Sequence, residues 1–206
     1  MDGPTFADEL RDEYETELSR LGSSKALYAL TGGEMNGPSV REAANDEFES
    51  AAVVFADYAG AETNEFAGDA FENAAERAER HADAVESEEG TPDASRPIYE
   101  VLSGFETSQE RVAGLFARAL VTRAAASQMV GFFVGDADTS SADTFRGIKD
   151  DLDAELDEAV EAMDEVCVRD EDWDAAREAA GAVVEAAYGE FVETLERMGV
   201  EPKNVC

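Results

Sequence analysis

The chain of 206 residues has one histidine, two cysteines, three lysines and no long uncharged apolar run. Each scarcity excludes a class of function. A lone His81, with no nucleophile elbow, leaves no Ser–His–Asp triad to assemble. Gly131 and Gly135 have no lysine at G-x-x-x-x-G-K spacing, so no phosphate loop is present. Cys167 and Cys206 match neither a metal motif nor a secreted disulfide framework, and free thiols are expected. Lysine occurs only at Lys25, Lys149 and Lys203, and thirteen arginines are scattered, so 16 basic residues face 49 acidic ones for a net charge of −33. Such a chain repels phosphate, and no nucleic-acid partner is expected. The most apolar stretch, Val112 to Val134, carries Arg118 and Arg123 in its middle. Arginine is costly at bilayer depth, so this segment reads as a buried helix and no membrane partner is expected. The opening MDGPTFADELRDE has neither a basic n-region nor an apolar h-region, so no signal peptide is expected and the expected location is cytoplasmic.

Acid is what the sequence has in excess. With 44% apolar residues the chain can still bury a core, so its acidity is not a mark of disorder. Acidic and apolar residues interleave throughout, whereas a protein made for one basic partner would carry acidic blocks. The pattern fits a protein of molar salt, where the Debye length falls to about 3 Å and self-repulsion is screened. The acid-rich run Asp150 to Glu165 reads accordingly as a solvated helix face.

Apolar residues recur at helical spacing and no window alternates like a strand. A first helix is expected over Pro4–Leu30 (Phe6, Leu10, Tyr14, Leu18, Leu21, Tyr28), ended by the glycine-rich stretch Thr31 to Pro38. Ser39 and Glu42 form a capping box that opens a second helix, burying Val40, Ala44, Phe48 or Ala51, Phe55 and Tyr58. A third runs from about Asn64 to Ser87 with Phe66, Ala70, Ala74, Ala78, His81 and Val85 on one face, before a linker at Glu88 to Ser95 and a short helix at Pro97 to Leu102. Thr107 and Glu110 cap a long apolar helix through Phe133. The next presents Phe145, Ile148, Leu152, Leu156, Val160, Met163 and Val166; the last runs from Trp173 to Met198 and closes at Gly199 and Pro202. Two helix hairpins joined by a long connection over residues 88–106 are the ferritin-like arrangement, although an orthogonal all-α array has similar lengths. The expected fold is a single all-α, ferritin-like bundle: an N-terminal helix and loop (1–38), a four-helix core (39–168), and a C-terminal helix and tail (169–206).

Four stretches, SRLGSSKALYALTGGEMNG (Ser19–Gly37), QMVGFFVGDAD (Gln128–Asp138), DLDAELDEAVEAMDEVC (Asp151–Cys167) and ERMGVEPKNVC (Glu196–Cys206), resemble a haloarchaeal family of rubrerythrin-like, ferritin-like proteins. The resemblance spans nearly the whole chain. It implies a di-iron bundle, in which two helices each give a glutamate and two others each give Glu-x-x-His. That pattern needs two histidines, and only His81 is present, with Ala78 where the motif wants glutamate. The inward positions expected on the fourth core helix, Ile148, Leu152, Leu156 and Val160, offer no ligand. The standard centre is therefore broken. Glu47 and His81 remain as candidate metal ligands, with Glu155 or Asp151 able to complete a mononuclear site for zinc, manganese or iron.

Arg118 and Arg123 offer a second reading, in which a buried guanidinium pairs with a carboxylate such as Glu47 and fills space the metals would use; the alternative is that both snorkel to the surface. The expected function is a non-catalytic interaction or oligomerisation scaffold with no resident cofactor and no enzymatic activity, able to form a homodimer with itself. The alternative is a metal-dependent redox or iron-handling protein built around His81 and Glu47.

Overall fold

In the computed structural model, which describes residues 1–85 and 96–202, the described residues form nine α-helices and no strand. The linker expected at residues 88–95 and the thiol of Cys206 lie outside the described residues.

The N-terminal segment differs most from expectation. In place of one helix it forms α1 (Gly3–Glu13), α2 (Glu15–Leu21) and α3 (Ser24–Leu30). The first break falls at Tyr14, whose ring lies over Gly181 of the last helix, where any side chain would collide with the Tyr14 hydroxyl. The second falls at Gly22–Ser23, where the Ser23 hydroxyl bonds the Arg20 carbonyl. The two bends let short pieces follow the curved surface of the bundle, burying Phe6, Leu10, Leu21, Ala26 and Leu27 in turn.

Next come α4 (Gly37–Ala61) and α5 (Glu65–Ala84), an antiparallel hairpin with a three-residue turn. The cap of α4 is Asn36 and not Ser39: the Asn36 carboxamide accepts from the Ser39 backbone N–H at 3.0 Å, which places Pro38 in the first turn, where no N–H is missed. On α5 the expected face is displaced at its start. Phe66 is 57% exposed, and Ala67 and Phe71 take the inward positions ahead of Ala74, Ala78 and His81. After α6 (Pro97–Ser103), the Thr107–Glu110 box caps α7 (Ser108–Gly135). A tight turn, with Ala137 in the left-handed region at φ 59°, leads into α8 (Thr139–Val166). The long last helix, α9 (Asp170–Arg197), starts ahead of Trp173 because the Asp172 carboxylate accepts from the backbone N–H groups of Val168 and Arg169. Gly199, at φ 73°, turns the chain out of it.

The α4/α5 and α7/α8 hairpins pack together with α5 against α8, while α9 lies along α7 and closes over α6. No helix among the described residues is long and apolar enough to cross a membrane. The buried apolar residues divide into two groups. The larger contains Phe6, Phe55, Phe71, Phe116 and Trp173; the smaller contains Leu27, Phe48, Phe133, Phe145 and Leu152. Near their boundary, α4 carries Glu47, α7 carries Arg118 and Thr122, and α8 carries Glu155, all buried.

Candidate functional site

Among the described residues Arg118 is the largest fully buried side chain, 1% exposed at mid-helix in α7. Its Nε donates to Glu47 Oε1 at 3.1 Å and its Nη1 to Glu155 Oε1 at 3.2 Å, so one guanidinium joins α4 to α8 through α7. Its Cζ lies over the rings of Phe48 and Phe55, 5.9 and 5.8 Å from their centroids. Glu47 is the hub. The Thr122 hydroxyl donates to Oε1 at 2.7 Å, the Arg96 Nη1 donates to Oε2, and the Tyr99 hydroxyl donates to the Glu47 backbone carbonyl at 2.8 Å. Arg96, just ahead of α6, turns its Nε and Nη2 to Glu190 of α9. Five helices thus converge on one ionic network.

The environment separates the two carboxylates. Burial raises both, but Arg96 and Arg118, with the hydroxyls of Thr122 and Tyr99, overcome it at Glu47 and hold that carboxyl down to about 2. At Glu155 burial wins over Arg118 and Arg77, and its carboxyl titrates above the ordinary value. Burial also works against the Arg118 charge, yet the oxygens of Tyr99, Glu47 and Glu155 more than offset it, so the guanidinium stays protonated.

His81 is 5% exposed beside this network but bonds elsewhere: its Nε2 lies 3.0 Å from Asp151 Oδ2, and its ring meets Phe48 edge-on. Burial lowers its imidazole, against the opposing pull of Asp151. The structure therefore gives the two candidate ligands, Glu47 and His81, separate partners, with Phe48 touching both His81 and Arg118. Among the described residues no group of three or more His, Cys, Asp or Glu side chains could hold a metal ion. The donor set does not fit a di-iron centre: a guanidinium offers N–H donors alone and carries the charge of the cation it would face. The two mid-helix arginines of α7 part company, for Arg123 is half-exposed and pairs with Asp153 at the surface.

The chain matches no family model, no curated protein and no solved structure.

One inward carboxylate contradicts the expected face of α8. Glu155 is 2% exposed, whereas Val160 is only half-buried. Its position was available from spacing, since it stands three residues after Leu152 and seven after Ile148. Arg96, Tyr99, Thr122 and Glu190 carried no such signal, because each is placed by the packing of separate helices. Cys167 is buried, with its thiol pushed up to about 12 by burial and nearby carboxylates, which keeps it in the neutral thiol form at neutral pH.

Proposed function

We propose that the chain is a ferritin-like bundle of the rubrerythrin-like kind in which an arginine-centred ionic network stands where such bundles carry metal, and that it serves as a non-catalytic scaffold for interaction or oligomerisation. The pairing of α4/α5 with α7/α8, with α6 between the hairpins in the chain, supports the ferritin-like reading. The observation that carries the functional reading is Arg118 itself, clasped by Glu47 and Glu155 at the centre of the bundle. Its charge repels a divalent cation at the place where α4, α7 and α8 meet through charged side chains. The catalytic apparatus of a redox bundle has there been exchanged for a structural tie.

The test is metal content, measured as atoms per chain on untagged protein purified in molar KCl without chelators, for the wild type and for His81→Ala. Background metal in both is expected. Near-stoichiometric iron, manganese or zinc that disappears in His81→Ala would overturn the proposal and establish an altered metal site; stoichiometric metal retained in both would overturn it as well.

A further inference from the structure

A cavity of about 220 Å³ opens between α3, α4, α7 and α9, beside the ionic network. Alanine makes the room. Ala29, Ala44, Ala126 and Ala187, one from each of these helices, are buried in its wall. Ala43 and Ala125 line it from half-buried positions, on the side where it meets solvent. Phe48, Met129 and Phe191 complete the buried part of the wall. Water among these side chains finds few hydrogen-bond partners, so an apolar occupant gains by displacing it.

The charged side chains at the edge of the cavity have no charge to spare. Glu47 accepts from Arg118 behind it, from Arg96 and from Thr122. Glu190 takes the Arg96 Nε and Nη2, so all three nitrogens of Arg96 are engaged. Asp46 is not free either. An ammonium brought here would be stripped of water beside two guanidinium groups already holding the carboxylates. A carboxylate would meet Asp46, Glu47 and Glu190. Either ion loses its hydration without gaining an open partner, whereas a neutral molecule avoids that cost. The size is bounded too: an engineered apolar cavity of about 150 Å³ holds benzene, so this one takes roughly nine heavy atoms.

We propose that this cavity binds a small uncharged aromatic molecule, with its ring among the alanines and against Phe48, Met129 and Phe191. Selection is by size and by neutrality: the alanines set the volume, and the self-satisfied ionic network excludes charge of either sign. The site does not rest on the scaffold reading, and its test reads ligand binding where that reading is tested by metal content.

The test is calorimetric titration in molar KCl at neutral pH with three probes of similar body: 2-phenylethanol, 2-phenylethylamine and phenylacetate. The wild type is expected to bind one equivalent of the alcohol, at least about tenfold more tightly than either ion. NMR contacts are expected between the bound ring and the Met129 methyl group. Ala125→Leu, which fills the cavity from a half-buried position, is expected to abolish binding while thermal unfolding shows the fold intact; Ala43→Leu serves the same purpose if that variant misfolds. The proposal is overturned by a wild type without saturable binding of the alcohol, or by either ion binding within about tenfold of it. It is overturned equally by a bound ring that makes no contact with Met129, or by binding that survives both leucine substitutions.

Discussion

Replacing Arg118 with methionine would remove one positive charge from between two carboxylates while keeping most of the buried volume. Glu47 would keep Arg96 and Thr122, but Glu155 would lose its one hydrogen bond among the described residues. Hydrogen bonds to charged groups contribute about 1.5–3 kcal/mol each, and breaking a buried ion pair by removing one partner costs about 3–5 kcal/mol. The apolar methionine and protonation of Glu155 offset part of that, leaving an expected loss of about 3 kcal/mol. For a chain of this size that is a fall of roughly 6–12 °C in Tm. The pH dependence has a definite sign. A carboxyl raised in the folded state binds protons more tightly there, so stability declines as pH climbs from the unfolded value through the folded one. Without Arg118 the Glu155 carboxyl rises further, so the deficit of Arg118→Met is expected to be smaller near about pH 5 than near about pH 8. Adding Glu155→Leu removes the stranded carboxylate and is expected to restore most of the loss. Urea unfolding in molar KCl, followed by helical circular dichroism, measures all three quantities. A single variant within about 1 kcal/mol of wild type, or a double variant no better than the single, would refute the claim that this guanidinium is a buried structural tie.

Three further outcomes are expected. Glu47, held at about 2 against an ordinary 4.5, contributes stability that is present above 4.5 and lost as pH falls toward 2. Glu47→Gln should therefore lower stability at neutral pH and flatten the acid limb of the unfolding profile; an unchanged acid limb would place that titration elsewhere. The imidazole of His81, the only histidine, is expected to titrate below its ordinary 6.5 by NMR, and a midpoint above 6.5 would show Asp151 outweighing burial. Asn36→Ala is expected to cost about 1 kcal/mol and Ser39→Ala almost nothing, by thermal unfolding; the reverse order would return the cap of α4 to Ser39.

The sequence was most readable where one helix face settles the matter locally. The stripe of α9 from Trp173 through Val183 to Leu195 is buried as its spacing implies, and the Thr107–Glu110 box caps α7 as its residues imply. Reading fails where a distant residue decides. The break at Tyr14 depends on Gly181, more than a hundred residues away in the chain, which leaves room for the ring. Phe66 has the hydrophobicity of a core residue but stands one position ahead of the inward face, which Ala67 and Phe71 occupy. Asn36 and Ser39 are both good capping residues, and the Pro38 between them fits a first turn that starts at the earlier one. The ionic network was half legible: an arginine inside an apolar helix demands a carboxylate, and Glu47 lies at the right depth. Its second partner was named only as a candidate metal ligand, because Glu155 sits in an acid-rich run whose other members are mostly solvated, and composition masks which one turns inward to the arginine.

The placement of the ionic network between two apolar groups also fixes how the long helices line up. Ala44 and Ala51 on α4, like Ala119 and Ala126 on α7, are small and interchangeable neighbours of the charged positions. Where alanine faces alanine, apolar contacts alone resist a slip of one turn only weakly, and the register there rests on Phe48, Phe55, Phe116 and Phe133 and on the charged cluster. With Glu47, Arg118 and Glu155 in place, a slip of one turn, about 5.4 Å, would strand charges opposite alanine at several kcal/mol. The cluster therefore works as a register key beside the buried phenylalanines: of the alignments the alanine stretches would tolerate, a single one satisfies its charges.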